Sequence, residues 1–211
     1  MTAYLRRIVD QELDELLPHL AAVSLEGPRG VGKTATASER AKTLVRLDDP
    51  DQLAVLRADP SRVVKAEGPV LIDEWQRFPE TWDLVRRAVD DGASPGRFLL
   101  TGSASPVVAP VHTGAGRIVS LRMRPMSLAE RGIERPTVSL ASLLGGGRPD
   151  VAGKTEVDLA IYVDEIVRSG FPGIRGLPRR ARNLQLDSYL QRIVERDFEE
   201  MGHRVRSSGG L

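Results

Sequence analysis

The sequence predicts an α/β fold, a three-layer α/β/α sandwich with a mostly parallel sheet, followed by a short helical segment. Short apolar runs alternate with helical patterns over the first two thirds of the 211-residue chain, as βα units do in a parallel sheet. A glycine-rich turn, GPRGVGKT at residues 27–34, joins one apolar run to a stretch of helix-forming composition. After about residue 135 only helical patterns continue, so the sheet should lie in the first part of the chain.

The elements of the sandwich follow in order. Apolar residues at steps of three and four predict a leading helix within 3–20, and AAVSLE at 21–26 predicts a buried strand. The glycine-rich turn comes next, and TATASERAKTLV at 34–45 predicts a helix. The later strands are predicted at 44–47, 70–72, 98–100 and 118–121, with helices at 51–59 and 80–91 between them.

The C-terminal third is predicted to be helical and separate from the sheet. Helical patterns at 156–168 and 181–201 flank a turn, SGFPG, at 169–173. The stretch before them is rich in glycine and lacks a periodic pattern. The sequence therefore predicts a sheet domain with its leading helix, a glycine-rich linker and a partial helical domain, over residues 1–137, 138–155 and 156–211.

Composition excludes several classes of function. The chain has no cysteine, which rules out disulfides, thiol catalysis and cysteine-held metals. The net charge of +1 gives no overall field that would attract nucleic acid or anionic lipid. The N-terminus carries charges throughout, and no apolar run approaches the roughly 20 residues of a membrane helix. We therefore expect a cytoplasmic protein without a membrane segment.

The turn GPRGVGKT satisfies the phosphate-binding pattern G-x-x-x-x-G-K-[S/T]. Glycines allow backbone N–H groups to converge without Cβ atoms in the way, and the following helix N-terminus adds positive potential. Lys33 supplies a mobile cation for the β- and γ-phosphates, and Thr34 offers a hydroxyl to Mg²⁺. The predicted phosphate-binding residues are Gly27, Pro28, Arg29, Gly30, Val31, Gly32, Lys33, Thr34 and Ala35.

An acidic pair follows a later apolar run. PVLIDEWQ at 69–76 ends its predicted strand with Asp73 and Glu74. In a parallel sheet this strand end lies at the same edge as the phosphate-binding turn. Asp73 can join the Mg²⁺ shell, and Glu74 can act as the general base that activates a water. A solvated strand end is the alternative interpretation, and the upstream phosphate motif makes the catalytic one preferable.

Two further segments carry candidate residues. FLLTGS at 98–103 ends the next strand with Thr101 and Ser103, either of which could hydrogen-bond the γ-phosphate or the water. The alternative, equally consistent with the sequence, is that Thr101 and Ser103 occur here only because threonine and serine favour the turn at the end of a strand. Arg117, in Gly-Ala-Gly-Arg, is a candidate catalytic arginine that would meet charge developing on the γ-phosphate. The alternative is one surface residue among the 30 lysines and arginines.

Six segments in this order resemble the prokaryotic AAA-type ATPases of the P-loop superfamily that carry a C-terminal domain of unknown function. They are GPRGVGKT, LDDP at 47–50, PVLIDEWQRFPETW at 69–82, RFLLTGSA at 97–104, AGR at 115–117 and RPMSLAER at 124–131. The leading Arg6-Arg7 pair and the later SGFPG also resemble that family.

The resemblance implies a sheet of the AAA-type strand order, ATP and Mg²⁺ as cofactors, and ATP hydrolysis. Lys33 and Thr34 match its Walker A positions, and Asp73 and Glu74 match Walker B. Thr101 and Ser103 fall where a sensor residue is expected, and Arg117 matches a Gly-Arg motif. Family members are about twice this length, so we expect the chain to break off within the C-terminal domain.

Three functions stay open at this point. The first is an ATPase that drives a conformational change, and the Asp-Glu pair favours its activated water. The second is a P-loop kinase, which would position an acceptor hydroxyl instead. The third is an ATP-dependent switch or DNA-associated regulator with little turnover. Arginines between 179 and 206 permit a nucleic-acid partner, although a solvated helix face explains them too. A protein partner or a homo-oligomer also stays open, since an arginine acting in trans requires neighbours.

Overall fold

The structure of the protein is a computed structural model, which describes residues 4–102, 113–134, 137–152 and 154–193. Within these residues, five strands form one parallel sheet in the order β2-β3-β4-β1-β5. The strands are β1 (Ala22–Glu26), β2 (Thr43–Arg46), β3 (Val70–Asp73), β4 (Phe98–Gly102) and β5 (Ile118–Arg122). The predicted α/β fold and the parallel sheet are confirmed.

Helices cover both faces of this sheet and continue beyond it. They are α1 (Ile8–Leu16), α2 (Lys33–Ser38), α3 (Pro50–Ala58), α4 (Arg62–Lys65), α5 (Glu80–Asp90), α6 (Leu140–Leu144), α7 (Leu159–Arg168), α8 (Pro172–Arg175) and α9 (Arg179–Arg192). Single 3₁₀ turns occupy Trp75–Arg77 and Ala129–Arg131. None of the described helices has the length and apolar character needed to cross a bilayer.

Alternate residues of the strands point to opposite faces and build two apolar clusters. Val70, Ile72, Phe98 and Leu100 pack on one face against α3, α4 and α5. On the other face, strand residues that include Leu25, Leu71 and Leu99 pack against α1 and α2. Strands β3 and β4 are buried along their whole length, which explains why their sequences are almost continuously apolar.

The helix after the glycine-rich turn is shorter than its sequence predicts. Helix α2 has six residues, because Thr43–Arg46 pair with β3 as strand β2 instead of continuing the helix. The leading helix likewise covers only Ile8–Leu16 of the predicted 3–20. Tertiary pairing has overridden local helix propensity here.

The C-terminal helices lie close to their predicted positions. Helix α7 begins after Asp158, whose carboxylate accepts a hydrogen bond from the Ile161 amide. The glycine-rich stretch contains the short helix α6, which Ser139 caps in the same way. Helix α9 is described to Arg192, and the remainder of the predicted 181–201 helix lies mostly outside the described residues. The division into three units stays a prediction.

Candidate functional site

The turn between β1 and α2, residues 27–34, forms a loop that only glycine-rich sequence can adopt; we call it the phosphate loop. Gly27, Gly30 and Gly32 have φ angles of 149°, 73° and 106°, which side chains disfavour. A Cβ atom at Gly27 would also lie 2.1 Å from the Met123 carbonyl oxygen. The glycines therefore serve both the shape of the loop and its close approach to the chain after β5.

Lys33 is the first residue of α2, and its ammonium group points back into the phosphate loop. Its Nζ donates hydrogen bonds to the carbonyl oxygens of Gly27 at 2.8 Å and Pro28 at 2.9 Å. Burial lowers the pKa of Lys33, while the nearby carboxylates of Glu74 and Asp73 act in the opposite direction. A cation held by two neutral carbonyls can turn to an anion that enters the loop.

Asp73 ends strand β3, and its carboxylate accepts hydrogen bonds from hydroxyl groups on two neighbouring elements. Thr34 Oγ1 donates to Asp73 Oδ1 at 2.8 Å, and Thr101 Oγ1 donates to the same oxygen. The register of β3 and β4 places Asp73 directly beside Thr101. Asp73 is only 7% exposed, so this carboxylate is a buried meeting point of α2, β3 and β4.

This oxygen-rich cluster suits a hard divalent cation. Mg²⁺ is held by few protein oxygens together with water and substrate phosphates, and hydroxyl and carboxylate oxygens are suitable ligands. Thr34 and Asp73 would supply those ligands beside the cation of Lys33 and the amides of the phosphate loop. The residues present therefore fit a metal–phosphate group.

Glu74 follows Asp73 in an unusual backbone conformation. Its φ and ψ angles are 56° and 45°, in the left-handed region that residues other than glycine rarely adopt. Its carboxylate is near enough to influence Lys33, and its Oε2 accepts a hydrogen bond from Gln76 Nε2. Such conformations cluster at functional sites. Sequence reasoning missed Gln76, whose only signal was its place two residues after the acidic pair.

The tip of the phosphate loop faces the C-terminal helices. Pro28, Arg29 and Gly30 are exposed, whereas Val31 is buried beneath them. The Arg29 carbonyl accepts a hydrogen bond of 3.3 Å from the Tyr189 hydroxyl of α9. A cavity of about 430 Å³ lies between this tip and helices α8 and α9. Ala35 is exposed on the first turn of α2.

Arg7 braces the phosphate loop from behind, and sequence reasoning did not find this role. Its guanidinium donates to the carbonyl oxygens of Val31 at 2.9 Å and Arg124 at 2.8 Å, and to the Glu130 carboxylate at 3.0 Å. Arg7 is 5% exposed despite its charge. Its partners are remote in sequence, so only the folded chain reveals the contact.

Arg117 lies away from the phosphate loop of its own chain, so of the two forms of its predicted catalytic role only the one in trans stays a prediction. It directly precedes β5, and the register pairs Ile118 with Ala22 at the start of β1. The phosphate loop follows the other end of β1, about 15 Å away at 3.3 Å per residue. Arg117 instead donates to Asp90 at 2.7 Å. The structure therefore does not bring Arg117 to the phosphate site of its own chain.

The other predicted residues divide into two groups. Lys33, Thr34, Asp73, Glu74 and Thr101 come together at the carboxyl edge of the sheet, as the parallel topology requires. Ser103, the alternative to Thr101, lies outside the described residues.

Comparisons with known proteins agree with this arrangement. A family model described as "AAA domain" matches residues 20–131. Two curated proteins described as uncharacterized, from Mycobacterium bovis and Mycobacterium tuberculosis, are each 26% identical over 206 residues. The alignment covers 95% of this chain and 41% of theirs, so the chain spans less than half the length of these relatives. A Walker-type ATPase of Pyrococcus abyssi shares the fold, with a TM-score of 0.52, 14% identity and coverage of 94% of this chain and 76% of that one.

Proposed function

The chain belongs to the AAA domain family of ATP-binding proteins, and from this premise we propose that it hydrolyses ATP with Mg²⁺ to drive a change of shape. One observation carries the proposal. The hydroxyls of Thr34 and Thr101 both donate to Asp73 Oδ1, next to the buried ammonium group of Lys33. Groups suited to a metal ion and groups suited to phosphate thus lie together at one sheet edge.

These residues have separate roles in binding ATP and Mg²⁺. The phosphate-loop amides and Lys33 hold the β- and γ-phosphates, with Lys33 exchanging the carbonyls of Gly27 and Pro28 for phosphate oxygens. Thr34 and Asp73 hold the Mg²⁺ ion, and Thr101 orients the Asp73 carboxylate. When bound, Mg²⁺ neutralises charge on the phosphate oxygens as the reaction proceeds.

In the hydrolysis step, Glu74 is the general base. A water attacks the γ-phosphorus atom, the bond from that atom to the bridging oxygen breaks, and Glu74 accepts a proton from the water. The products are ADP and inorganic phosphate. The electrostatic influence of Glu74 on the pKa of Lys33 supports this role, because the two side chains would face the same phosphate group.

The change of shape has a physical route through residues 123–131, which we call the linking segment. On one side Arg7 joins the phosphate loop to Arg124 and Glu130. On the other side the Met126 amide donates to the Gly170 carbonyl at 2.7 Å, ahead of α8. Movement of the phosphate loop would therefore be transmitted through the linking segment to the C-terminal helices.

The position of Arg117 bears on assembly. In a homo-oligomer, the amino edge of one sheet could face the phosphate loop of the next chain and bring Arg117 to a neighbouring phosphate. Turnover per chain would then rise with protein concentration, and Arg117→Ala would remove that rise. A turnover that does not vary with concentration would count against a role for Arg117 in trans.

Turnover and binding measured on matched variants test the proposal. Glu74→Gln should bind ATP normally and release phosphate about 10²- to 10⁴-fold more slowly, the usual contribution of a general base. Lys33→Ala should lose ATP binding. Glu80→Gln, an exposed carboxylate in the first turn of α5, is the matched control and should behave as wild type.

Each alternative function has its own outcome in the same experiment. Phosphate release by Glu74→Gln at the wild-type rate would refute Glu74 as the base. Tight ATP binding by wild type with no phosphate release would favour the switch with little turnover. Transfer of labelled phosphate to an added acceptor faster than to water would favour the kinase.

A further inference from the structure

Gln76 is placed to act on Glu74. It lies in the 3₁₀ turn Trp75–Arg77, which begins directly after Glu74. The side chain is half-buried and reaches back along the turn, where Nε2 donates a hydrogen bond to Glu74 Oε2. A neutral amide thus holds one oxygen of the carboxylate that the proposed hydrolysis requires.

The end of β4 leaves room for the Gln76 amide because residue 102 is glycine. A Cβ atom at Gly102 would lie 2.9 Å from Gln76 Oε1 and 2.8 Å from Trp75 Nε1. Any side chain at position 102 would therefore displace the amide. The adjacent Thr101 donates a hydrogen bond to Asp73. Two successive residues of β4 therefore bear on the acidic pair: Thr101 contacts Asp73 directly, and Gly102 leaves room for the amide that contacts Glu74.

The orientation of the amide follows from the carboxylate. Gln76 Oε1 is buried and has no hydrogen-bond partner among the described residues. Leaving a buried acceptor unpaired costs free energy. The opposite orientation of the amide would be worse, because it would place Oε1 against a carboxylate oxygen, and two acceptors repel each other. The amide is therefore arranged for its contact with Glu74 rather than for its own hydrogen bonding.

Glu74 needs such support because of its backbone. In a left-handed conformation its side chain leaves the line of strand β3, and an acidic side chain with three rotatable bonds has several orientations to choose from. A general base works only within hydrogen-bond reach of the proton that it accepts.

We propose that Gln76 is a positioning residue, which holds the Glu74 carboxylate where it accepts the proton of the attacking water. The proposal rests on the hydrolysis assigned above to Glu74. It also assigns Gly102 a function, which is to leave room for the amide. Gln76 itself contacts neither the phosphate nor the water in this scheme.

A double-mutant cycle in phosphate release tests the proposal. Gln76→Met keeps the length of the side chain and removes the donor. We expect it to lower kcat by about 10- to 100-fold, the cost of a misplaced catalytic group, while ATP affinity stays at the wild-type value. In the Glu74→Gln background the same change should lower the residual rate by less than about twofold, because the carboxylate it serves is absent.

Two controls separate positioning from folding. Arg77→Met alters the exposed neighbour on the same turn and should leave kcat and ATP affinity unchanged. Gln76→Glu keeps the shape of the side chain but places a carboxylate against Glu74, and it should lower kcat at least as far as Gln76→Met. Thermal unfolding of each variant should match wild type.

The outcomes distinguish this proposal from the proposed function. A wild-type kcat for Gln76→Met, with turnover lost in Glu74→Gln, would overturn the role of Gln76 alone. Equal losses from Gln76→Met in both backgrounds would show that it acts on the fold rather than through Glu74. A wild-type rate for Glu74→Gln would overturn both proposals together.

Discussion

The sheet domain and the C-terminal helices are stabilised by different kinds of contact. In the sheet domain the buried residues are mostly apolar and form a cluster on each face of the sheet. In residues 154–193 the buried side chains are those of Val157, Glu165 and Arg182, while Leu159, Ile166 and other apolar residues of α7 and α9 are exposed.

Charged groups, together with Phe171, which packs against the apolar cluster on the α1 side of the sheet, attach these helices to the sheet domain. Glu165 of α7 accepts hydrogen bonds from Arg131 of the linking segment at 3.1 Å and from Arg175 of α8 at 2.7 Å. Hydrogen bonds and ion pairs weaken steeply with distance and angle, whereas the burial of apolar surface is non-directional. The comparison predicts that removing a charged partner should loosen the C-terminal helices before it affects the sheet.

The largest effect should come from a cavity in the sheet. Phe98 is fully buried at the start of β4, and Phe98→Ala should lower the free energy of unfolding by about 3–5 kcal/mol. Chemical denaturation followed by tryptophan fluorescence measures this, since Trp75 and Trp82 belong to the same cluster. Leu159→Ala, at an apolar residue that is 78% exposed, is the matched control and should change stability little. Similar losses in both variants would contradict the comparison.

The next effect should be confined to the C-terminal helices. Glu165→Ala leaves the part-buried guanidinium groups of Arg131 and Arg175 without their shared, buried carboxylate, which should cost about 3 kcal/mol, the low end for breaking a buried pair. Hydrogen exchange should speed up in α7, α8 and α9 and stay slow in the strands. The exposed Glu156→Ala serves as control. Faster exchange throughout the sheet would show that the two regions unfold as one.

The stability of the sheet domain should also depend on pH, because a buried polar cluster around Asp10 contributes to it. Burial opposes ionisation of Asp10, but hydrogen bonds from Tyr4, the Arg7 amide and Arg40 outweigh it and hold the pKa of Asp10 below 3.8. The ionised form therefore stabilises the fold at neutral pH, and this contribution is lost as the pH falls below that value.

Asp10→Asn should accordingly be less stable than wild type at pH 7, and the difference should narrow as the pH is lowered through 3.8 and below. Urea titrations over this pH range measure it. Asp48→Asn, at an exposed aspartate, is the matched control and should change stability little at pH 7. A gap between Asp10→Asn and wild type that widened on acidification would give the wrong sign.

The smallest effect is expected at the amino edge of the sheet. Arg117 pairs with Asp90 at the surface, and exposed ion pairs contribute little. Arg117→Ala should leave both the unfolding curve and the ATP affinity of the isolated chain unchanged. Reduced ATP affinity in dilute solution would place Arg117 nearer the phosphate loop of its own chain than the sheet register allows.

Much of the site could be predicted because it depends on local pattern and simple topology. A strand, a glycine-rich turn and a helix place Lys33, and the rule that parallel strands end at one edge brings Asp73 and Thr101 to it. The same rule would have placed Arg117 correctly, since a residue that directly precedes a parallel strand lies at the opposite edge. Its resemblance to a family motif and its loop position had suggested otherwise.

Other features had no local signal. The charge of Arg7 gives no indication that its guanidinium is buried, because its partners at Arg124 and Glu130 are more than 100 positions away. The end of α2 depends on β2 pairing with β3, which helix propensity does not reveal. The contact between Gln76 and Glu74 depends on a left-handed backbone that no residue type specifies.

The central claim is that the phosphate loop and the acidic pair bind one ATP–Mg²⁺ complex. A crystal structure of Glu74→Gln with ATP and Mg²⁺ tests it most directly. The account predicts that Lys33 Nζ leaves the carbonyls of Gly27 and Pro28 for phosphate oxygens, with Thr34 and Asp73 beside the same ion. ATP bound elsewhere, with Lys33 still on those two carbonyls, would contradict it.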